Sequence, residues 1–255
     1  MEKTTIYYNA KTKPRSPLLI VGLPGIGNVG SLVGEHLRTE LKAKKFATLY
    51  SPHFPHQVVM LKSGGIRLVS NRFYLWKNPS KEKNVHDVII LVGDFQALSS
   101  EGQYEINEKI IKFFKKLGGR TVYTIGGYNA TNQYVQTPRV FAVTTDKSQI
   151  PALKKNGIIF GVASGMIWGS AGLLLAFSKK YKLTATCIMG ETGMLDVDAH
   201  AAKAILDALV KHLGLNVNLD NMEKISKETE KMLGAMEEAA KKEQQGNKEN
   251  FTYIR

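Results

Sequence analysis

The chain has 255 residues, of which 43% are hydrophobic, and it carries a formal net charge of +13. This length and composition allow one large α/β domain or two small ones, with a substantial core. The single cysteine, Cys187, excludes an intrachain disulfide and fits a reducing cytoplasm, where we expect the protein to be located.

The chain shows no sign of a targeting or membrane segment. Its first residues, MEKTTIYYNAKTK, have no apolar core of the kind that a signal peptide needs. No segment has 18 uninterrupted apolar residues, and the nearest one, Gly157 to Phe177, is interrupted by Gly and Ser. We therefore expect neither a signal peptide nor a membrane span.

The positive charge is carried by the body of the chain. The first 219 residues contain 28 Lys and Arg against 14 Asp and Glu, whereas residues 220–255 contain seven against eight. A basic body is typical of proteins that bind an acidic partner, such as RNA, DNA or an acidic protein face. Because the basic residues are scattered and never form a run of five, they are also typical of a lysine-rich soluble surface, and nucleic acid is not the expected partner.

Strand and helix patterns alternate along the chain. The apolar and β-branched runs predict strands at Leu18–Leu23, Phe46–Tyr50, Gln57–Leu61, Ile66–Trp76, Val88–Val92, Thr121–Ile125, Val140–Thr144, Ile158–Ala163 and Thr184–Met189. The helical patterns predict helices at Val29–Lys42, Glu101–Leu117, Met166–Lys179, Ala199–Leu213 and Met222–Lys242. Runs such as Val88–Val92 are apolar on both faces, as central parallel strands covered by helices are.

One segment departs from this parallel pattern. Residues Gln57 to Trp76 indicate a β-hairpin, with its turn at Ser63-Gly64-Gly65. A hairpin beside parallel strands predicts an α/β fold with a mixed, mostly parallel sheet that is flanked by helices.

The loop after the first predicted strand reads LPGIGNVG, and its glycines Gly25, Gly27 and Gly30 have the G-x-G-x-x-G spacing of dinucleotide-binding proteins. A dinucleotide site also needs an acid near the end of the next strand, but that place reads Tyr50-Ser51-Pro52-His53. A Walker loop is excluded because no Lys-Ser or Lys-Thr follows the glycines. We interpret the three residues as a structural glycine loop that allows a positive φ and close strand–helix packing, and we expect no cofactor.

Two further glycine-rich turns follow apolar runs, at Gly126-Gly127-Tyr128-Asn129 and from Ser164 to Gly172. Turns at strand ends line one edge of an α/β sheet, where ligand sites are usually found. Neither Ser164 nor Ser170 stands in the G-x-S-x-G sequence that exposes a serine nucleophile. Tight packing therefore explains these turns as well.

No group of residues forms a convincing catalytic or metal site. His53 and His56 have a ligand-like spacing but bring no Cys or carboxylate with them. Asp196, Asp198 and His200 could form an oxygen and imidazole cluster, but a helix cap explains the two acids. Four acids near one strand end could act in acid/base chemistry but are typical of a solvated helix face; they are Asp94, Glu101, Glu105 and Glu108. We expect no catalytic residue, no metal and no nucleophilic role for Cys187.

The last part of the chain changes character. The helix at Ala199–Leu213 stops at Gly214, and the next one, which carries Met222, Ile225 and Met236 at helical spacing, is amphipathic and lies on the body or on a neighbouring subunit. Its Met-rich stripe predicts a homo-oligomer. We divide the chain into a single α/β domain over residues 1–219, an amphipathic helix over residues 220–245 and a flexible docking tail over residues 246–255.

The tail ends in an apolar cluster, although flexible tails normally finish polar. Its last residues combine aromatic and aliphatic side chains with a free carboxylate, which suits docking into a partner pocket. Folding back onto the chain's own body is the alternative. The predicted partner-binding residues are Phe251, Tyr253, Ile254 and Arg255.

Three segments, in this order, resemble the archaeal proteasome assembly chaperone family, whose members are homologous to the second subunit of the eukaryotic proteasome assembly chaperone pair. The segments are VGLPGIGNVG, ASGMIWGSAGLLLA and DVDAHAAKAILDALVKHLGLNV, and the resemblance covers roughly residues 15 to 240. It implies a fold similar to that of nucleoside phosphorylases and related hydrolases, without an established catalytic role. It also implies binding to the α subunits of the proteasome core particle and homo-oligomeric rings or bundles.

The tail departs from the family pattern, which often ends hydrophobic-Tyr-any residue. Here Ile254 stands where that Tyr is expected, and the aromatic is Tyr253. A tail that anchors to the proteasome and a protein that acts through a sister chaperone therefore both stay open. The resulting hypothesis is a non-enzymatic, ATP-independent assembly chaperone or adaptor, and the alternative is a phosphorylase/hydrolase-like enzyme that uses the glycine-rich edge.

Overall fold

The computed structural model describes residues 1–82, 85–129, 134–161, 165–193 and 196–229. Its strands are β1 (Thr5–Tyr8), β2 (Leu18–Gly22), β3 (Lys44–Tyr50), β4 (Val58–Met60), β5 (Ile66–Leu68), β6 (Asn71–Trp76), β7 (Val88–Gly93), β8 (Thr121–Asn129), β9 (Val140–Thr144), β10 (Ile158–Ile159) and β11 (Thr184–Thr192). Its helices are α1 (Val29–Glu40), α2 (Ser100–Lys116), α3 (Ile150–Lys154), α4 (Gly169–Lys180) and α5 (Ala199–Leu213), and residues 220–229 are also helical.

Nine strands form one sheet in the order β1-β3-β6-β7-β2-β8-β11-β9-β10. The central strands β7, β2, β8 and β11 run parallel to one another, and β10 is parallel to β9. The remaining four pairings, β1–β3, β3–β6, β6–β7 and β9–β11, are antiparallel. The predicted mixed α/β fold is confirmed, but parallel pairing makes up half of the sheet rather than most of it.

Helices cover both faces of the sheet, which explains the continuous apolar runs of the central strands. In β2, Leu18 and Ile20 lie in a core with α1 and α5, while Leu19 and Val21 lie in a second core with α2 and α4. All four side chains are buried. A strand that is buried on both faces cannot show the alternation of a half-exposed strand, because every residue meets a helix.

The predicted hairpin exists but is shorter than expected. β4 and β5 pair antiparallel as a separate two-stranded sheet around the turn at Gly64, whose φ is +84°. The prediction of one strand from Ile66 to Trp76 was wrong, because the chain leaves the hairpin at Val69 and re-enters the main sheet as β6, beside β7.

Three other elements differ from the sequence-based expectation. Gly126 and Gly127, which the sequence indicated as a turn, lie inside β8. The edge strand β1 and the short helix α3, with Pro151 in its first turn, were not predicted. Short elements of this kind carry too few residues to show a period.

The amphipathic helix after α5 is described as far as residue 229. Met222 is 2% exposed and lies in the core that contains α1 and α5, with Ile225 packed against it. Of the two alternatives, this part of the helix therefore lies on the chain's own body. Most of the predicted helix beyond it, the tail over residues 246–255 and the partner-binding residues Phe251, Tyr253, Ile254 and Arg255 lie outside the described residues. Within the described parts of the chain, no helix is long and apolar enough to cross a membrane.

Candidate functional site

Three glycine-containing segments meet at the carboxyl edge of the parallel strands, and we call them the glycine rim. They are residues 23–28 after β2, residues 126–129 at the end of β8 and residues 165–170 at the start of α4. Together they line a cavity of about 410 Å³. The sequence predicts that these segments share one edge of the sheet, and the structure brings them together.

The three glycines of the first segment are in different situations. Gly25 has an extended backbone with a φ of −172°, which any residue can adopt. Gly27 has a φ of +59°, in the left-handed region that favours glycine, and lies in a 3₁₀ turn over Ile26–Asn28. Gly30 is the second residue of α1 and is buried.

Gly30 allows α1 to touch two strands through backbone atoms alone. A Cβ at this position would lie 2.6 Å from the carbonyl oxygen of Leu23 and 2.8 Å from that of Ile125. Gly22 completes the contact, since its own Cβ would lie 2.3 Å from the carbonyl oxygen of Gly30. Backbone atoms cannot swing aside as a flexible side chain can, so glycine is needed at both positions.

The loop is also fastened to the start of α5 through Asp198, which is fully buried. The Asp198 backbone N–H donates to the carbonyl oxygen of Gly27 at 2.8 Å. Its carboxylate accepts from the N–H of Ala201 at 2.9 Å and from the Thr192 hydroxyl at 2.6 Å. The expectation that Asp196 or Asp198 caps this helix is confirmed for Asp198.

On its other side the loop is joined to α4 through Gln96, a residue that the sequence analysis did not single out. The Gln96 amide donates to the carbonyl oxygen of Pro24 at 2.6 Å, and its oxygen accepts from the N–H of Ser170 at 2.8 Å. The Ser170 hydroxyl donates to Gln103 at 3.3 Å. No local pattern marks a glutamine three residues after a strand, so sequence reasoning had no signal for it.

The topology separates the rim from a dinucleotide site. In such a site the acid that binds the ribose stands at the end of the next parallel strand beside the glycine loop. Here the next strand along the chain, β3, is antiparallel to β6 and is separated from β2 by β6 and β7. Tyr50, at the end of β3, therefore lies two positions in the sheet from β7 and four from β8, the two strands that flank β2.

The side chains at the mouth of the rim are apolar and exposed. Trp168 is 80% exposed, Met166 is 81% exposed and Ile26 is 50% exposed, and all three line the cavity. The polar side chains Gln96 and Ser170 are already engaged in the hydrogen bonds described above. Such a surface suits contact with apolar groups of another protein more than recognition of a polar substrate.

The arrangement closest to a catalytic relay lies beside the rim, at the start of α2. His53 is 3.1 Å from the Glu105 carboxylate and 3.4 Å from the Ser99 hydroxyl. The Ser99 oxygen, however, accepts from the backbone N–H of Gly102 at 3.1 Å and so caps α2. A Cβ at Gly102 would lie 2.3 Å from the His53 Cβ, so the loop around His53 packs tightly against α2. The contacts among His53, Ser99 and Glu105 hold the loop in this position.

The other acids singled out from the sequence are not brought together. Asp94 binds Arg67 and Arg72 at 2.5 and 2.9 Å, whereas Glu108 binds Lys180 and Tyr181 at 2.9 and 2.6 Å. Although burial opposes ionisation of Asp94, hydrogen bonds from both arginines and from the Ser70 N–H outweigh it and lower the pKa of this carboxyl to about 2. Glu101 is exposed at the start of α2.

The remaining sequence candidates are also dispersed. Burial raises the pKa of the Cys187 thiol to about 11, so the thiolate that a nucleophile requires is disfavoured. His200 bonds the Ser226 carbonyl oxygen at 2.8 Å, away from any carboxylate cluster. Ser164 lies outside the described residues. Among the residues that are described, no group of three or more His, Cys, Asp or Glu side chains could hold a metal ion.

Comparison with known proteins gives consistent matches. Residues 19–240 match the model of the PAC2 family. Pyrococcus furiosus PbaB, whose crystal structure is described as that of an archaeal proteasome activator, is 40% identical with a TM-score of 0.86, and the match covers 93% of this chain and 100% of that chain. The uncharacterized protein MJ1210 of Methanocaldococcus jannaschii is 37% identical over 216 residues, which are 85% of this chain and 81% of that protein.

A further solved structure supports the fold. Pyrococcus furiosus PbaA, described as an archaeal homolog of proteasome-assembly chaperone, has a TM-score of 0.76 and 23% identity, and the match covers 99% of this chain and 100% of that chain. At that identity the likeness speaks for the shared fold.

Proposed function

The chain belongs to the PAC2 family, and on that premise we propose that it is an ATP-independent assembly chaperone or adaptor of the proteasome that works by contact. Its partners are the α subunits of the core particle, reached directly or together with a sister assembly chaperone, in the cytoplasm. The 40% identity to PbaB over 93% of this chain is the observation that carries this proposal.

The geometry of the glycine rim supports a role in contact rather than in catalysis. The glycines at and beside the rim accommodate close backbone approaches, and the Gln96 and Asp198 side chains hold its loop to α4 and α5. Its large exposed side chains, Ile26, Met166 and Trp168, are apolar. We take Gly25, Gly27 and Gly30 as a structural loop that binds no nucleotide, and we take the protein as a non-enzyme that needs no cofactor.

The C-terminal tail is the proposed anchor to the α subunits. Burial of Phe251, Tyr253 and Ile254 would contribute about 1.5–3 kcal/mol for each side chain. Ordering the backbone opposes this by about 1–2 kcal/mol per residue, so a single five-residue tail binds weakly. Several tails on one homo-oligomer would bind far more tightly through their effective concentration.

A pull-down with α subunits of the core particle tests the tail. The full chain, a truncation that lacks residues 251–255 and a control with Lys248→Ala and Glu249→Ala in the polar tether would be compared at equal concentration. We expect the truncation to lose most of the α-subunit binding and the tether control to keep it. If the truncated protein binds as tightly as the full chain, the anchor is on the body and the tail proposal is wrong.

A thermal-shift screen against nucleotides and nucleosides tests the enzymatic alternative. A ligand that binds only the folded state stabilises it by RT ln(1 + [L]/Kd), so the melting temperature rises with the logarithm of the ligand concentration once that concentration exceeds Kd. We expect no shift. A rise of several degrees in the melting temperature with one nucleotide or nucleoside would instead favour the hypothesis that the rim is the site of a phosphorylase/hydrolase-like enzyme.

A further inference from the structure

The hairpin β4–β5 exposes an apolar surface that the described residues of the fold leave uncovered. Met60 is 86% exposed, Ile66 is 68% exposed, Leu68 is 54% exposed and Val58 is 48% exposed. The pairing register places Val58 opposite Leu68 and Met60 opposite Ile66, so all four side chains share one face. We call this face the hairpin platform.

The opposite face of the hairpin is attached to the body. Val59 and Arg67 are paired across the two strands between the platform residues, and they point the other way because side chains alternate along a strand. Val59 packs against the core that contains α2 and α4. The platform therefore points away from the body, not into a gap within it.

A cluster of charges fixes the hairpin in this orientation. The Arg67 guanidinium donates two hydrogen bonds to Asp94, at 2.5 and 2.8 Å, and Arg72 donates to the same carboxylate. Asp94 also accepts from the backbone N–H of Ser70, in the link between β5 and β6. An isolated two-stranded hairpin is only marginally stable in water, so this anchor holds an apolar surface ready for contact and lowers the entropy lost on binding.

We propose that the hairpin platform is the contact between copies of this chain, with two platforms stacked about a two-fold axis. A chain of net charge +13 repels its own copies, so self-association is least opposed where a surface carries no charge. The four platform residues are uncharged, and the one charged side chain of the paired strands, Arg67, is neutralised by Asp94 on the other face.

The size of the platform agrees with this occupant. Together with Leu61 at the turn, which is 40% exposed, the platform residues expose roughly 500 Å² of surface, so that two stacked copies would bury at most about 1,000 Å². That area is at the lower bound of a specific interface. A two-fold contact between identical apolar faces is self-complementary and needs no matching charge on a different partner.

This inference replaces the reason for which the sequence predicted a homo-oligomer. The stripe that begins at Met222 is buried on the chain's own body over its described part, whereas the hairpin platform is open. The inference concerns self-association and does not require the proteasome, so a failed pull-down with α subunits leaves it standing.

Light scattering on the full-length protein tests the proposal through a matched pair of variants. Met60→Lys changes the platform, and Met166→Lys makes the same change at the glycine rim, where Met166 is 81% exposed. We expect the native chain and Met166→Lys to be oligomeric at micromolar concentration. Met60→Lys should raise the dissociation constant about 30-fold or more, as the loss of a central apolar contact does. Circular dichroism checks that both variants are folded.

Thiol cross-linking gives a second readout that does not depend on weakening the oligomer. The native Cys187 is buried with 0% exposure, so the cross-linking reagent reaches the thiol that Met60→Cys introduces and not the native one. Treatment with a short bismaleimide should convert Met60→Cys to covalent dimer and leave Met166→Cys monomeric on a denaturing gel. A native chain that is monomeric at high micromolar concentration would overturn the proposal. So would a Met60→Lys variant of unchanged mass, or cross-linking only through Met166→Cys.

Discussion

The glycine rim and the hairpin platform lie at the same edge of the sheet, but different forces hold them. At the rim, backbone meets backbone: Gly30 fits between the carbonyl oxygens of Leu23 and Ile125. The hairpin is held by one ion cluster around Asp94 and by the packing of Val59. The contact of α1 with the sheet is therefore close because no side chain intervenes there, whereas the hairpin depends on a few side chains.

The difference shows which sequence signals carry function in this protein. The G-x-G-x-x-G spacing looks like a ligand site, yet two of its three glycines serve backbone geometry at Gly27 and Gly30. The sequence of the hairpin indicates only two strands joined by a turn, yet the hairpin has an exposed apolar face. A glycine motif indicates that the backbone needs glycine at those positions. Only the tertiary structure shows whether a ligand or a neighbouring backbone segment contacts them.

The largest expected effect is at the rim, from Gly30→Ala. Two backbone oxygens lie within 2.8 Å of the new Cβ, so α1 must move away from β2 and β8. We expect the free energy of unfolding to fall by more than about 3 kcal/mol, measured by urea denaturation. Gly126→Ala is the control, because no heavy atom lies within 4 Å of its Cβ position, and it should change stability by less than about 1 kcal/mol. Equal losses from both variants would contradict the packing account.

The next effect is at the hairpin anchor, from Asp94→Asn. This change leaves Arg67 and Arg72, whose side chains are 30% and 14% exposed, without their carboxylate. We expect a loss of about 2–3 kcal/mol in the free energy of unfolding. Hydrogen exchange should rise most over residues 58–68 and least over β2 and β8. Uniform exchange across the chain would show that the cluster serves the whole fold rather than the hairpin.

The same carboxyl predicts how stability depends on pH. The pKa of Asp94 is about 2 in the folded chain against an ordinary value of 3.8, so the folded state favours the ionised form. Its contribution, about 2 kcal/mol, is present above pH 4 and is lost as the pH falls from about 4 to about 2. Denaturation curves of the native chain and Asp94→Asn should converge over this range. Parallel curves down to pH 2 would contradict the assignment.

The smallest effect separates the two remaining glycines of the loop. Gly27→Ala forces a left-handed φ of +59° on a residue with a Cβ and places that Cβ 3.0 Å from the Thr192 hydroxyl, so we expect a loss of about 1–2 kcal/mol. Gly25→Ala has an extended backbone and only the Gln96 amide nearby, at 3.8 Å, so it should cost less than about 0.5 kcal/mol. Thermal denaturation of the two variants measures the contrast, and a larger loss at Gly25 would reverse it.

Much of the fold can be predicted from the sequence because cap residues and apolar runs mark the ends and the buried faces of individual elements. The helix Ala199–Leu213 is predicted to the residue, since an aspartate caps its start and Gly214, with a φ of +62°, ends it. The runs at β2 and β7 are recognised because both faces are covered. The resemblance to the proteasome assembly chaperone family, stated from three segments, is confirmed by the PAC2 match over residues 19–240.

The candidate site was foreseen only in outline. The meeting of glycine segments at one edge followed from the rule that parallel strands end together, but Gln96, which joins the loop to α4, had no sequence signal. Its role depends on two backbone groups, the Pro24 carbonyl and the Ser170 N–H, that lie more than 70 positions away along the chain. Contacts across such separations leave no period in the sequence.

The sequence by itself determined most of the strands and helices and the cap residues Asp198 and Gly214 of α5, because those choices depend on neighbours within a few residues. The tertiary structure alone decided that β6 turns back beside β7, that half of the pairings are antiparallel and that Gly30 rather than Gly25 cannot change. It also decided that Met222 is buried while Met60 is exposed, although both are methionines in amphipathic segments. The physical reason is that strand pairing and exposure depend on which distant segment arrives at a given surface, and the local pattern contains no record of that segment.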